Sequence, residues 1–229
     1  MSRRNKLQKF AEILSFPNVY ENYDPKAPGL VGQDGTSVKM KGQWAASHFK
    51  NNNPVVLELA CGRGEYSLGL ARRFPNRNFI GVDVKGARIW RGATTALEEG
   101  LSNVAFLRTR IEQIALFFEV SEVSEIWITF PDPFVRKGQS NRRLTSPVFI
   151  NQYRKILSPN GTVNLKTDAD SFYEFTLETI STDKKCKLIY KDDDIYSKAL
   201  VSEELEIKTY YEKMHLEDKR TIKYVKFTI

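Results

Sequence analysis

Glu58, Gly62 and Gly64 close the apolar run of Val55, Val56, Leu57 and Leu59. Two glycines there let the backbone turn sharply and leave no side chain between it and a ligand. Tyr66, Leu68, Leu70 and Ala71 then start an amphipathic helix, whose first amides and positive dipole point into the crevice. A phosphate loop needs Gly-x-x-x-x-Gly-Lys-Ser/Thr, which the chain lacks. A dinucleotide turn needs Gly-x-Gly-x-x-Gly, but Gly62-Arg63-Gly64-Glu65-Tyr66 runs into Ser67. A carboxylate at Glu58 repels pyrophosphate and holds an amino group. The residues favour a nucleoside bearing an amino acid over a plain strand-turn-helix with chance glycines.

Two further acids stand where strands should end. Asp83 closes Asn78-Phe-Ile-Gly-Val-Asp83, about 20 residues past the glycine turn, where an acid binds ribose hydroxyls. The competing role is a cap on the following helix. Asp132 sits between Pro131 and Pro133, whose rings fix the backbone on each side. Arg136, Lys137, Arg142 and Arg143 follow as a local anion trap. Arginine grips phosphate or the acceptor edge of guanine. The plainer alternative is a basic surface loop with a structural turn.

These acids meet only if strands and helices alternate. Strands are expected over 55–59, 78–83, 104–108, 125–130, 162–166, 187–190 and 221–228. Helices are expected over 66–73, 85–99, 147–157 and 171–180, with a turn at 158–161. The pattern predicts an α/β fold with a mainly parallel sheet and helices on both faces. Residues 1–50 read as an irregular basic arm, with one or two amphipathic turns near Leu7–Leu14 and a short helix over Gly42–Phe49. Residues 51–229 read as one domain. Arg3, Arg4, Lys6 and Lys9 either touch phosphates or form a solvated basic end.

The chain has 229 residues, enough for one large core, and a net charge of +7 that suits a polyanion partner. Its two cysteines and two histidines show no metal-ligand spacing, so no metal is expected. No signal-peptide core and no membrane-length apolar run appears, and a reducing cytoplasm is the expected compartment.

The motifs also resemble a known family. Glu58-Leu-Ala-Cys-Gly62-Arg-Gly64 resembles motif I of class I methyltransferases, Glu-x-Gly-x-Gly-x-Gly, with Ala60 in place of the first glycine. Phe130-Pro-Asp132-Pro-Phe134-Val-Arg136-Lys, then Arg142-Arg143-Leu144, resembles the signature of tRNA (guanine-N7)-methyltransferases. Leu165-Lys166-Thr167-Asp168 and Thr209-Tyr210-Tyr211-Glu212-Lys213 are similar to later elements of that family. Phe10-Ala-Glu-Ile and Phe16-Pro-Asn-Val are similar to its amino-terminal arm.

The resemblance implies a Rossmann-like seven-stranded sheet with an antiparallel last strand. It implies S-adenosylmethionine as cofactor and methylation of N7 of a guanosine in the tRNA variable loop, by a monomer or homodimer. Glu58, Gly62, Gly64, Asp83 and Asp132 would hold the cofactor, and Asp132 is the family's catalytic residue. Arg136 stands where the family has a substrate-contacting lysine. Asp168, Thr209, Tyr210, Tyr211 and Glu212 would contact the target nucleotide.

Two further positions depart from the pattern. Phe134 replaces a tryptophan and loses its N–H donor. Arg110 replaces an acid near the adenine, so only its backbone serves there. The remaining readings are a methyltransferase of another substrate class and a non-catalytic tRNA-binding protein of the same fold.

Guanine N7 carries an exposed in-plane lone pair and needs no proton removed. Asp132 is therefore expected to orient the guanine and offset arriving positive charge, with no role as obligatory base. Tyr210 and Tyr211 either stack on a base or pack against the last strand. The resemblance implies that Glu212 accepts from the guanine. Affinity for RNA should fall steeply with salt.

Overall fold

The computed structural model describes residues 5–229, and of Lys137 the backbone alone. Arg3, Arg4 and the Lys137 side chain lie outside the described residues. Helix α1 (Lys6–Ile13) opens with a capping box, in which Asn5 accepts from the Gln8 amide and the Gln8 side chain accepts from the Asn5 amide. Three short strands follow: β1 (Val19–Glu21), β2 (Leu30–Val31) and β3 (Ser37–Val38). A π-helical turn, Trp44–Phe49, leads into β4 (Val55–Leu59) and α2 (Glu65–Arg73). Then come β5 (Asn78–Asp83), α3 (Gly86–Glu98), β6 (Val104–Arg108), β7 (Val123–Thr129), α4 (Pro147–Tyr153) and β8 (Leu157–Thr167). The chain ends with α5 (Asp170–Thr182), β9 (Lys187–Asp192), α6 (Tyr210–Glu217) and β10 (Lys223–Thr228).

Among the described residues the strands form one ten-stranded sheet, ordered β3-β2-β1-β6-β5-β4-β7-β8-β10-β9. Its centre, β6-β5-β4-β7-β8, is parallel throughout. The last strand, β10, is antiparallel to both β8 and β9. The order reverses between β4 and its two neighbours, and ligands bind outside the carboxyl ends of strands at such a switch point.

The apolar runs explain the centre. Alternate residues of β4 feed two cores: Val55, Leu57 and Leu59 join the first, and Val56 joins the second. In β7, Ile126 and Ile128 join the first core and Trp127 the second. Strands buried on both faces require helices on both faces.

Three expectations are corrected. The sheet has three strands more than the expected seven. Part of the stretch read as loop adds β1, β2 and β3 to the β6 edge. There β1 runs parallel to β6, with Phe106 N donating to Asn18 O at 2.8 Å and Asn22 N donating to Arg108 O at 2.9 Å. These strands satisfy backbone groups that an open edge would leave unpaired. The turn expected at 158–161 lies inside the β8 run, where the pairing with β7 shifts register between Val123 and Glu125. Finally, α6 forms where no helix was expected. Thr209 caps it, accepting from the Glu212 amide at 3.2 Å.

Candidate active site

The turn after β4 is built as its residues demand. Gly62 and Gly64 have φ of +57° and +68°, and Ala60 has +58°. Position 60 thus carries the left-handed backbone that glycine adopts without penalty. A Cβ on Gly64 would lie 2.4 Å from Phe106 Cε1, whereas one on Gly62 meets nothing within 4 Å. Gly64 therefore serves packing against β6, while Gly62 leaves open backbone beside a cavity.

Glu58 lies on the strand just ahead of this turn, 3% exposed. Its Oε2 accepts from the Ser67 amide at 2.9 Å and the Ser67 hydroxyl at 2.5 Å. Its Oε1 accepts from Thr129 Oγ1 at 2.9 Å. Burial pushes its pKa up to about 7, against the pull of these hydrogen bonds. Ser67 and Thr129 escaped the sequence reading because a hydroxyl donor has no spacing signature of its own.

Asp83 ends β5 and turns both carboxylate oxygens to nearby backbone amides. Its Oδ1 accepts from the Lys85 amide at 2.8 Å, a local turn ahead of α3, which has no side-chain cap. Its Oδ2 accepts from the Gly62 amide at 2.9 Å, tying the second strand tip to the glycine turn. Asp132 is exposed on the loop after β7, and its Oδ1 accepts from the Phe134 amide at 3.1 Å.

Three cavities adjoin across these tips. The first, about 550 Å³, is bordered by Glu58, Gly62, Arg63, Arg88 and Tyr210. The second, about 410 Å³, is bordered by Asp83, Arg110, Glu112, Asp132 and Arg142. The third, about 1090 Å³, is bordered by Asp132, Asp168, His215, Lys85 and Arg220. Ala60 borders the first two, Asp132 the last two, and Phe130, Arg88 and Tyr211 the first and third. The three expected carboxylates therefore line adjoining cavities with shared wall residues, Glu58 the first, Asp83 the second and Asp132 the second and third. Lys9 borders the first cavity as well, which places the amino-terminal arm beside it. The arm is held there by Phe10 and Ile13 against Gly86, and by Trp90 Nε1 donating to Glu12 at 2.7 Å.

Residues 52–225 match the family model described as "Putative methyltransferase". The chain is 49% identical over 226 residues to the tRNA (guanine-N(7)-)-methyltransferase of Bacteroides fragilis, covering 99% of this chain and 86% of the relative. It is 44% identical to the enzyme of that name from Christiangramia forsetii, over the full length of both chains. This chain belongs to the tRNA (guanine-N7)-methyltransferase family. The fold is shared more widely. A crystal structure of the 16S rRNA methyltransferase KamB matches with a TM-score of 0.61 at 14% identity, over 84% of this chain and 95% of that one.

The family's later elements divide between cleft and interior. Tyr210 and Tyr211 are about half exposed and border the cleft, with ring centroids 5.7 Å apart. Thr209 borders the first cavity, but its hydroxyl caps α6. Glu212 corrects the expectation. Its side chain is fully buried, held by Lys166 Nζ at 2.7 Å and by the Tyr196 hydroxyl at 2.6 Å. It faces inward because Lys166, also fully buried, needs a counter-charge. Thr209 and Glu212 match the helix-start pattern Thr-x-x-Glu, the signal that finds α6.

Asp168 borders the third cavity and is paired with Arg220 at 2.9 Å. Arg136 is exposed at the start of a 3-10 turn. Arg110 is exposed and borders the second cavity, while its carbonyl accepts from the Gln113 amide at 2.9 Å. The expected anion trap loses a member, since Arg143 is buried against backbone carbonyls. Arg142 stays exposed, 4.5 Å from the Phe134 ring.

Proposed function

We propose that this protein methylates N7 of a guanosine in the variable loop of tRNA, as a cytoplasmic enzyme using S-adenosylmethionine. Relatives up to 49% identical carry the first part of that activity in their name. The observation that supports it most is the place of Asp132. It borders both a cavity shared with Asp83 and a wider cavity rimmed by Lys85, Arg88 and Arg220.

The residues present fit the cofactor. Three carboxylates on adjoining cavities suit a ligand with an amino group, ribose hydroxyls and a positive sulfur. Gly62 exposes backbone for it to lie against. When bound, S-adenosylmethionine supplies an electrophilic methyl group. Glu58 would hold its amino group, and Asp83 would use its remaining lone pairs for the ribose.

The chain's own work is then alignment. Tyr210 and Tyr211 offer exposed aromatic faces for stacking. Arg136 and Arg142 offer charge to phosphate. Asp132 accepts from guanine N–H groups and offsets positive charge developing on the purine. The target nitrogen presents its lone pair without deprotonation, so positioning is the main demand.

Transfer of labelled methyl groups to bulk tRNA, followed by mapping of alkali-labile N7-methylguanosine, tests this. Label at the variable-loop guanosine is expected. Label in another nucleoside, or tRNA binding with no transfer, overturns it.

A further inference from the structure

We infer that Arg143 is a positioning residue for Asp132 and takes no part in gripping RNA phosphate. The inference deepens the methyl-transfer reading above and rests on it.

Arg143 is 8% exposed, although it stands in a basic loop beside the exposed Arg142. Its Nε donates to Pro133 O at 2.9 Å and its Nη2 to Phe134 O at 3.2 Å. Its Nη1 reaches Ser171 O at 3.4 Å. Its guanidinium lies 4.6 Å from the Phe175 ring centroid. All three guanidinium nitrogens are thus turned to carbonyls, and a ring covers the group. A planar fork of fixed donors can span three acceptors in this way, whereas an ammonium is a point charge.

Two of the three carbonyls it holds are those of the two residues after Asp132. That loop needs holding. Phe130 and Phe134, on either side of Pro131-Asp132-Pro133, have φ of +47° and +41°, the left-handed region that side-chain-bearing residues rarely adopt. The Phe134 amide in turn donates to Asp132 Oδ1 at 3.1 Å and so orients the carboxylate. A continuous chain of contacts therefore runs from the first turn of α5, through Arg143, to the Asp132 carboxyl. Ser171 and Asp132 border the same cavity, so Arg143 fixes two walls of it relative to each other.

Arg143→Lys and Arg143→Ala in the full-length protein test the inference. Steady-state methyl transfer to bulk tRNA should show kcat lowered about 100-fold in both, as for a misplaced catalytic group. KM for tRNA should stay within about twofold. The slope of log Kd against log salt should match wild type, because no phosphate contact is lost. Added guanidinium ion should restore part of kcat to Arg143→Ala, and sodium chloride at the same ionic strength should not. Hydrogen exchange at the Phe134 amide should quicken on the order of tenfold in Arg143→Lys. Unchanged kcat with a salt slope smaller by about one would make Arg143 a phosphate contact and overturn the inference. If the wild-type protein transfers no methyl to tRNA, the functional reading fails, and the exchange rate alone then decides on Arg143.

Discussion

Lys166 and Glu212 meet at 2.7 Å with neither side chain exposed. The lysine sits on β8 and the glutamate on α6, so the pair ties the central sheet to the helix that carries Tyr210 and Tyr211. Lys166 also donates to Leu205 O at 3.0 Å and Ile207 O at 3.1 Å, which fixes the segment leading into α6. Removing one partner strands a buried charge, and such a loss costs about 3–5 kcal/mol. For a chain of this size, that lowers Tm by about 6–20 °C. Glu212→Ala should therefore melt early. The pair of changes Lys166→Met and Glu212→Leu should recover most of the loss. A Glu212→Ala protein with unchanged Tm and no tRNA turnover would return this residue to the guanine.

Glu58 carries a pH dependence of predictable sign. Its carboxyl is pushed up to about 7 by burial, from 4.5 when solvated. Between those values the folded chain holds a proton that the unfolded chain has released. The stabilisation is thus complete below about pH 4.5 and is lost as pH rises through 7, on the order of 3 kcal/mol in all. A ligand ammonium needs the ionised form, so cofactor affinity runs the other way. Below pH 7 the Kd for S-adenosylmethionine should weaken, approaching tenfold per pH unit. Calorimetric titrations at pH 5.5, 6.5 and 7.5 check this against Glu58→Gln, which should lose the dependence along with most of the affinity. A wild-type Kd flat across that range removes Glu58 from the amino-group site.

The centre of the sheet was legible because β4, β5 and β6 are apolar runs bounded by turn residues. Asp83 and Asp132 were legible because an acid at a strand tip is a position as well as a residue type. The edge strands β1, β2 and β3 were hidden, since two or three residues are too few to show alternation. Direction was hidden too. Arg142 and Arg143 are neighbours with the same charge, yet one is exposed and the other braces carbonyls. Glu212 reads as an exposed acid until Lys166 is found opposite it, across 46 residues of sequence. Ala60 shows the reverse. It stands where the family has glycine, and its φ of +58° shows that the backbone there still has the shape glycine prefers.

The two glycines of the turn should separate under substitution. Gly64→Ala drives a methyl to 2.4 Å from Phe106, which is fully buried and has no room to retreat. With the left-handed φ added, a loss of about 2–4 kcal/mol is expected. Gly62→Ala meets no neighbour and should cost about 1–2 kcal/mol from its φ alone. Urea midpoints rank the two. Cofactor binding should rank them differently, because a methyl at Gly62 intrudes where its backbone borders the first cavity. Equal urea midpoints would show that Phe106 can yield.

Asp132 and Arg136 should fail in distinct ways. Arg136 is exposed, and its charge is expected to serve phosphate without touching the reacting atoms. Arg136→Ala should weaken tRNA binding at low salt and reduce the slope of log Kd against log salt by about one, with kcat nearly unchanged. Asp132→Asn keeps the shape and removes the charge, and its amide cannot offset positive charge on the purine. It should lower kcat by about 100–1000-fold, the scale for losing one preorganised electrostatic group, and leave the salt slope alone. Because N7 needs no deprotonation, the residual rate of Asp132→Asn should follow the pH profile of the wild-type enzyme. A variant whose rate rises steeply with hydroxide would instead make Asp132 a general base, and the alignment mechanism would give way to proton transfer.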